Sequence, residues 1–155
     1  MKDLFIDNTI ASKFGNPMDQ EYKKLITWLI EFDPKKRDKC ASLMISKKII
    51  KEYSASTINA TSVTNIMVIV NQMIAEDRGT QISNDEIKKF KMNNYSKKIR
   101  RQLRSNKKDW NHIPLVLLSK RKFALTYDKN FEYDLIHFPG YCVNVQKRPE
   151  LLNYK

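Results

Sequence analysis

Asp7 and Asp128 are the residues of this 155-residue chain whose placement points most directly to chemistry. Each follows a short apolar run, Leu4-Phe5-Ile6 for Asp7 and Phe123-Ala124-Leu125-Thr126 for Asp128. Clustered carboxylates are costly unless a cation joins them. Two strand-end aspartates with a further acid nearby offer the hard oxygen ligands that Mg2+ or Mn2+ takes. Such ions keep several waters, one of which can become a nucleophile. Plainer roles stay open. Asp7 could cap a helix beginning near Thr9, and Asp128 could be a turn residue in Asp-Lys-Asn.

Other chemistries find little footing. His112 and His137 have no neighbouring nucleophile in sequence and read as structural. With three glycines the chain has no Gly-rich phosphate loop, which speaks against an NTPase or a dinucleotide enzyme. Cys40 and Cys142 show no ligand spacing and are expected to be free thiols in a reducing, cytoplasmic setting. The apolar run at the start meets Asp7 too early for a signal peptide, and the sequons at Asn59 and Asn94 are expected to be accidental.

Charge points to a polyanion. Twenty-nine Lys and Arg against 17 Asp and Glu give a net charge of +12. A field of that sign concentrates nucleic acid. Ten cations fall between Lys88 and Lys108, including Lys97, Lys98, Arg100, Arg101, Arg104, Lys107 and Lys108. They read as a phosphate-tracking surface joined by Lys47, Lys48 and Lys51, with Tyr95 or Trp110 placed to stack on an unpaired base. A solvated helix whose late positive charge suits its own dipole would look the same.

The elements that must position these residues follow from periodicity. Asn16-Pro17 reads as cap and first residue of a helix whose apolar face is Tyr22, Leu25, Ile26, Trp28, Leu29 and Phe32, stopped by Asp33-Pro34. Leu43-Met44-Ile45 reads as a strand, with Ser46 capping the helix behind it. Val63, Ile66, Met67, Val70, Met73 and Ile74 stripe a longer helix closed by Gly79; Val68 and Ile69 widen that stripe, implying deep burial or a subunit contact such as a homodimer. Ser83-Asn84-Asp85-Glu86 matches a capping box that opens a basic helical region to about Lys108. Ile113–Leu118 is helical, and Phe123–Thr126 and Tyr141–Val145 complete four strands. Strands alternating with helices imply one α/β domain, three layers around a mostly parallel sheet. Ligands in such sheets sit beyond the carboxyl ends of the strands. Hydrophobic residues at 41% are enough for a packed core, and no run approaches a membrane span.

Taken together, the motifs resemble the PIN-domain family. Leu4-Phe5-Ile6-Asp7-Asn8-Thr9 is similar to its first strand, an apolar run closing on Asp. Ile45–Tyr53 is similar to its second motif, a strand end leading into a helix that carries an acid, here Glu52. Asp109, the helix Ile113–Leu118, and Ala124-Leu125-Thr126-Tyr127-Asp128 with Phe131 after it resemble the third and fourth motifs. The likeness spans residues 3 to about 152, with no motif to compare over 57–106. Asn8-Thr9 inverts the family's usual order at that point, and Trp110 and Pro114 are unusual beside the third motif.

The resemblance implies a four-acid site, Asp7, Glu52, Asp109 and Asp128, holding one or two Mg2+ or Mn2+ ions. Thr126, Asn8 and Thr9 would steady the carboxylates by hydrogen bonds. It implies a metal-dependent endoribonuclease hydrolysing RNA phosphodiester bonds, for which a toxin–antitoxin toxin with its antitoxin partner, a defence nuclease and an RNA-processing enzyme are all compatible biology. A catalytically silent RNA- or protein-binding module and a DNA-directed flap nuclease are the alternatives. For single residues, Glu52 could simply pair with Lys48 along a helix, and Asp109 could balance Lys107 and Lys108.

Overall fold

The computed structural model describes residues 1–57 and 61–155, so Asn59 of the first sequon lies outside the described residues. Five short strands form one all-parallel sheet: β1 (Lys2–Ile6), β2 (Ala41–Ile45), β3 (Gly79–Gln81), β4 (Phe123–Leu125) and β5 (Asn144–Gln146), in the order β3-β2-β1-β4-β5. The apolar runs of β1 and β2 are buried almost end to end, as strands covered on both faces must be.

Helices α1 (Asn8–Ala11), α2 (Gln20–Ile30), α3 (Lys47–Ser56) and α4 (Ile66–Ala75) pack on one another, with α2 and α4 also against β2. In a second layer, α5 (Asn84–Asn94), α7 (Ile113–Leu117) and α8 (Lys129–Ile136) pack together. There α7 lies against β1 and β2, and α8 lies against β5. The short α6 (Lys97–Gln102) follows α5. The result is the expected three-layer α/β/α architecture. No described helix is long and apolar enough to cross a membrane.

Local signals place most boundaries. Ser46 caps α3 by accepting from Ile49 N at 3.3 Å, and Ser83 and Glu86 complete the capping box of α5. Where expectation and structure differ, tertiary packing supplies the reason. The second helix begins at Gln20 rather than after Asn16, because Asp19 is its cap, accepting from Glu21 N at 2.8 Å and pairing with Arg148 at 2.7 Å. Its end falls at Ile30, before Asp33-Pro34 opens a 3-10 turn. Val63 is exposed outside α4, whose own N-cap is Asn65. Val68 and Ile74 are exposed too, so the stripe is not buried all round.

Gly79 does not close α4. It opens β3, where a Cβ would lie 3.0 Å from Ile74 Cγ1 and 3.1 Å from Ile45 Cδ1, and the left-handed turn falls instead on Asp77 at φ 56°. The basic helical region is two helices, not one. Tyr95 breaks it by burying its ring against Phe90, Phe138 and Trp110, and Ser96 caps α6 through Ile99 N at 3.2 Å. Cys40 is buried, Cys142 exposed, and both are free.

Candidate active site at the carboxyl edge of the sheet

Strand order reverses between β1 and β4: the chain builds outward from β1 to β2 and β3, then returns to β4 and continues to β5. In open parallel sheets the crevice at the carboxyl ends of two such strands is where ligands bind. Ile6 pairs with Leu125, so the next residues, Asp7 and Thr126, face each other across that crevice. Asp7 N donates to Leu125 O at 2.9 Å. Asp7 stands at the cap position of α1, yet its side chain caps nothing. Its Oδ2 instead accepts from Thr126 Oγ1 at 2.7 Å and Thr9 Oγ1 at 2.6 Å. Thr9 Oγ1 also accepts from Tyr127 N at 3.1 Å, and Thr126 Oγ1 from Asp128 N at 3.0 Å, which locks both strand ends into one network. Asn8 takes a different part, accepting from Ser56 Oγ at 2.7 Å and so tying α1 to the end of α3.

Asp128 takes a role that the turn reading did not include, that of a helix cap. Its Oδ1 caps α8 through Asn130 N at 2.8 Å and Phe131 N at 3.0 Å. Glu52 does not pair with Lys48. Its Oε1 lies 2.9 Å from Nε2 of His112, which is 1% exposed. Beside Glu52, the buried Tyr53 phenol donates to Ile6 O, and burial together with the charges of Asp7 and Glu52 pushes it far above its usual range. Asp109 opens the 3-10 turn Asp109–Asn111 ahead of α7. Burial raises its carboxyl, His112 opposes that, and the negative charges of Asp128, Asp7 and Glu52 raise it further. Asp109 therefore lies within electrostatic reach of Asp7, Glu52 and Asp128.

Carboxylate oxygens are the donors that a hard divalent cation takes. Each acid keeps at least one carboxylate oxygen without a hydrogen-bond donor among the described residues, and Asp109 keeps both. As the side chains stand, no three His, Cys, Asp or Glu among the described residues are arranged to hold a metal ion.

The expected basic surface is divided. Lys48 Nζ donates to Lys108 O at 2.7 Å, joining α3 to the segment that carries Asp109. Lys98, Arg101 and Arg104 face α8 instead, lining a separate cleft of about 680 Å³, and Arg104 lies 3.4 Å from the centre of the Tyr133 ring. Lys47, Lys51, Lys97 and Lys107 are exposed. Tyr95 cannot stack on a base, since its ring is buried and its hydroxyl donates to Trp110 O at 2.6 Å. Trp110 Nε1 is held by Ser105 O at 3.1 Å.

Two anchors had no local signal: His112, and Asp134. The buried Asp134 carboxylate fixes the basic segment by accepting from Arg104 N at 2.8 Å, Ser105 N at 2.9 Å and Ser105 Oγ at 2.5 Å. Both depend on partners far away along the chain. Compared with family models, curated proteins and solved structures, the chain matches none.

Proposed function

We propose that the chain is a metal-dependent endoribonuclease of PIN-like design, with Asp7, Glu52, Asp109 and Asp128 as the carboxylates that hold Mg2+ or Mn2+. The observation that carries this reading is the hydrogen-bonded network that joins Asp7 to Asp128 through Thr126 at the strand-order reversal, with Glu52 held by His112, three residues beyond Asp109. A bound divalent ion would supply a nucleophilic water near neutral pH and stabilise charge on the phosphate. The chain's own contribution is positioning. Thr9 and Thr126 fix the Asp7 carboxylate, His112 fixes that of Glu52, and the cations around Lys48 and Lys108 offset repulsion between four acids and a phosphate backbone.

A second reading, a nucleic-acid binder without hydrolysis, is favoured by one observation. Glu52 and Asp128 each commit one oxygen to a protein partner, and no three acids are gathered tightly among the described residues. Cleavage of labelled single-stranded RNA and DNA in Mn2+, Mg2+ or EDTA, beside Asp7→Asn, separates the two. The nuclease reading expects RNA cleavage that EDTA abolishes and Asp7→Asn reduces at least about a hundredfold, as loss of one preorganised charge does. Cleavage that survives EDTA, or an undiminished variant, contradicts it. Preference for DNA would move the substrate, and binding without cleavage would leave the silent module.

A further inference from the structure

Lys48, Lys88, Lys91 and Arg100 line one cleft of about 280 Å³ together with Asn84 and Asn111, and no carboxylate lines it. None of the four cations takes part in an ion pair among the described residues. Two of the ammonium groups are tethered in place: Lys48 Nζ to Lys108 O at 2.7 Å, and Lys91 Nζ to Asn111 Oδ1 at 3.0 Å. Burial and the nearby charges of Lys48 and Arg100 lower the Lys91 ammonium. Like charges held together without a counter-ion destabilise the fold by their repulsion and are stabilised by an anion. The tethers also place the cleft beside the acids. Lys48 lies one helical turn before Glu52, and Lys108 and Asn111 flank Asp109.

We infer that this cleft binds a phosphate group of a nucleic-acid strand and seats that strand against the carboxylate edge. Only the placing of chemistry next to the cleft rests on the nuclease reading; the binding itself does not. Anisotropy of a fluorescein-labelled single-stranded RNA oligonucleotide, in EDTA and over a range of KCl, tests binding apart from cleavage.

The pair Lys91→Met and Arg100→Gln is set against a charge-matched pair, Lys35→Met and Lys39→Gln, in the turn that precedes β2. The cleft pair should weaken binding about tenfold or more and flatten the salt dependence by about 0.7 for each phosphate that is no longer neutralised, while the control changes it less than about twofold. Arg100→Gln alone, whose guanidinium makes no hydrogen bond among the described residues, should give part of that loss with a melting temperature no lower than that of the wild type. A loss seen only with a 5′-phosphorylated strand assigns the cleft to a strand end, and a loss shared by the unphosphorylated strand assigns it to a backbone phosphate. Equal behaviour of cleft and control pairs, or no measurable binding by the wild type at low salt, overturns the inference. Cleft-dependent binding in a protein that cleaves nothing would leave the cleft standing and remove the nuclease reading.

Discussion

His112 Nε2 lies 2.9 Å from Glu52 Oε1, while Nδ1 of the same buried ring has no partner among the described residues. An ionised carboxylate only accepts, so Nε2 donates to Glu52, and the other ring nitrogen is left without a partner among the described residues. A buried polar atom without a partner costs about 1–3 kcal/mol, and a fold shaped by stability alone would place an apolar side chain there. What the ring does in this fold is hold Glu52.

His112→Leu should therefore melt within a few degrees of the wild type yet need about tenfold more Mn2+ for half-maximal RNA cleavage, the usual scale for losing a residue that orients a metal ligand. His112→Gln, which keeps a donor amide, should recover part of that affinity. Mn2+ titrations of the cleavage rate, run beside thermal melts, check both. Parallel losses of stability and metal response in His112→Leu would make the residue merely structural.

Asp109 gives a pH prediction. Its carboxyl is raised above the ordinary 3.8, first by burial and then by its acidic neighbours. Between that value and the raised one, the folded protein binds more protons than the unfolded chain, so stability falls as pH rises through this window. The ionised carboxylate is thus a burden at neutral pH. Asp109→Asn should raise the melting temperature at neutral pH and flatten the pH dependence of stability just above the ordinary carboxylate range, as measured by melts at stepped pH. Mn2+ should stabilise the wild type more than the variant at the same concentration. A destabilised variant at neutral pH would show that the site carries no such strain.

Arg78 is fully buried and closes the end of α2, with Nη1 donating to Leu29 O at 2.8 Å and Ala41 O at 3.3 Å, and Nε to Glu76 Oε2 at 2.9 Å. Arg78→Leu leaves those carbonyls and a partly buried carboxylate without their donor. It should cost about 3 kcal/mol in urea unfolding, near the lower bound for breaking a buried charge pair. A loss below about 1 kcal/mol would mean that water replaces the guanidinium.

Signals confined to one helical turn or one apolar run were legible in the sequence. Leu43-Met44-Ile45 is a strand, Ser46 and Ser83 are caps, and Asp7 directly follows β1, whereas Asp128 stands three residues beyond β4 as the cap of α8. The third strand was not legible, because Gly79-Thr80-Gln81 is an edge strand, mostly exposed, with no apolar pattern; it exists by pairing with Leu43–Ile45. The break at Tyr95 was hidden in a polar, basic run because its cause is a ring cluster reaching to Phe138. Glu52 read as a site acid, with Lys48 one helical turn away as the plainer alternative, and only the fold brings His112 to it from a distant segment. Local chemistry marks where acids stand; which groups hold them is decided by long-range contacts.

Mn2+ binding, followed by the loss of the free-ion electron paramagnetic resonance signal, tests most directly whether the four acids form one cation site. The wild type should bind one or two Mn2+ ions, Asp7→Asn and Asp109→Asn should each weaken that binding about tenfold or more, and Asp38→Asn, on the exposed turn before β2, should leave it unchanged. Wild-type protein that leaves the free-ion signal intact, or site variants that bind as well as it does, would contradict the account.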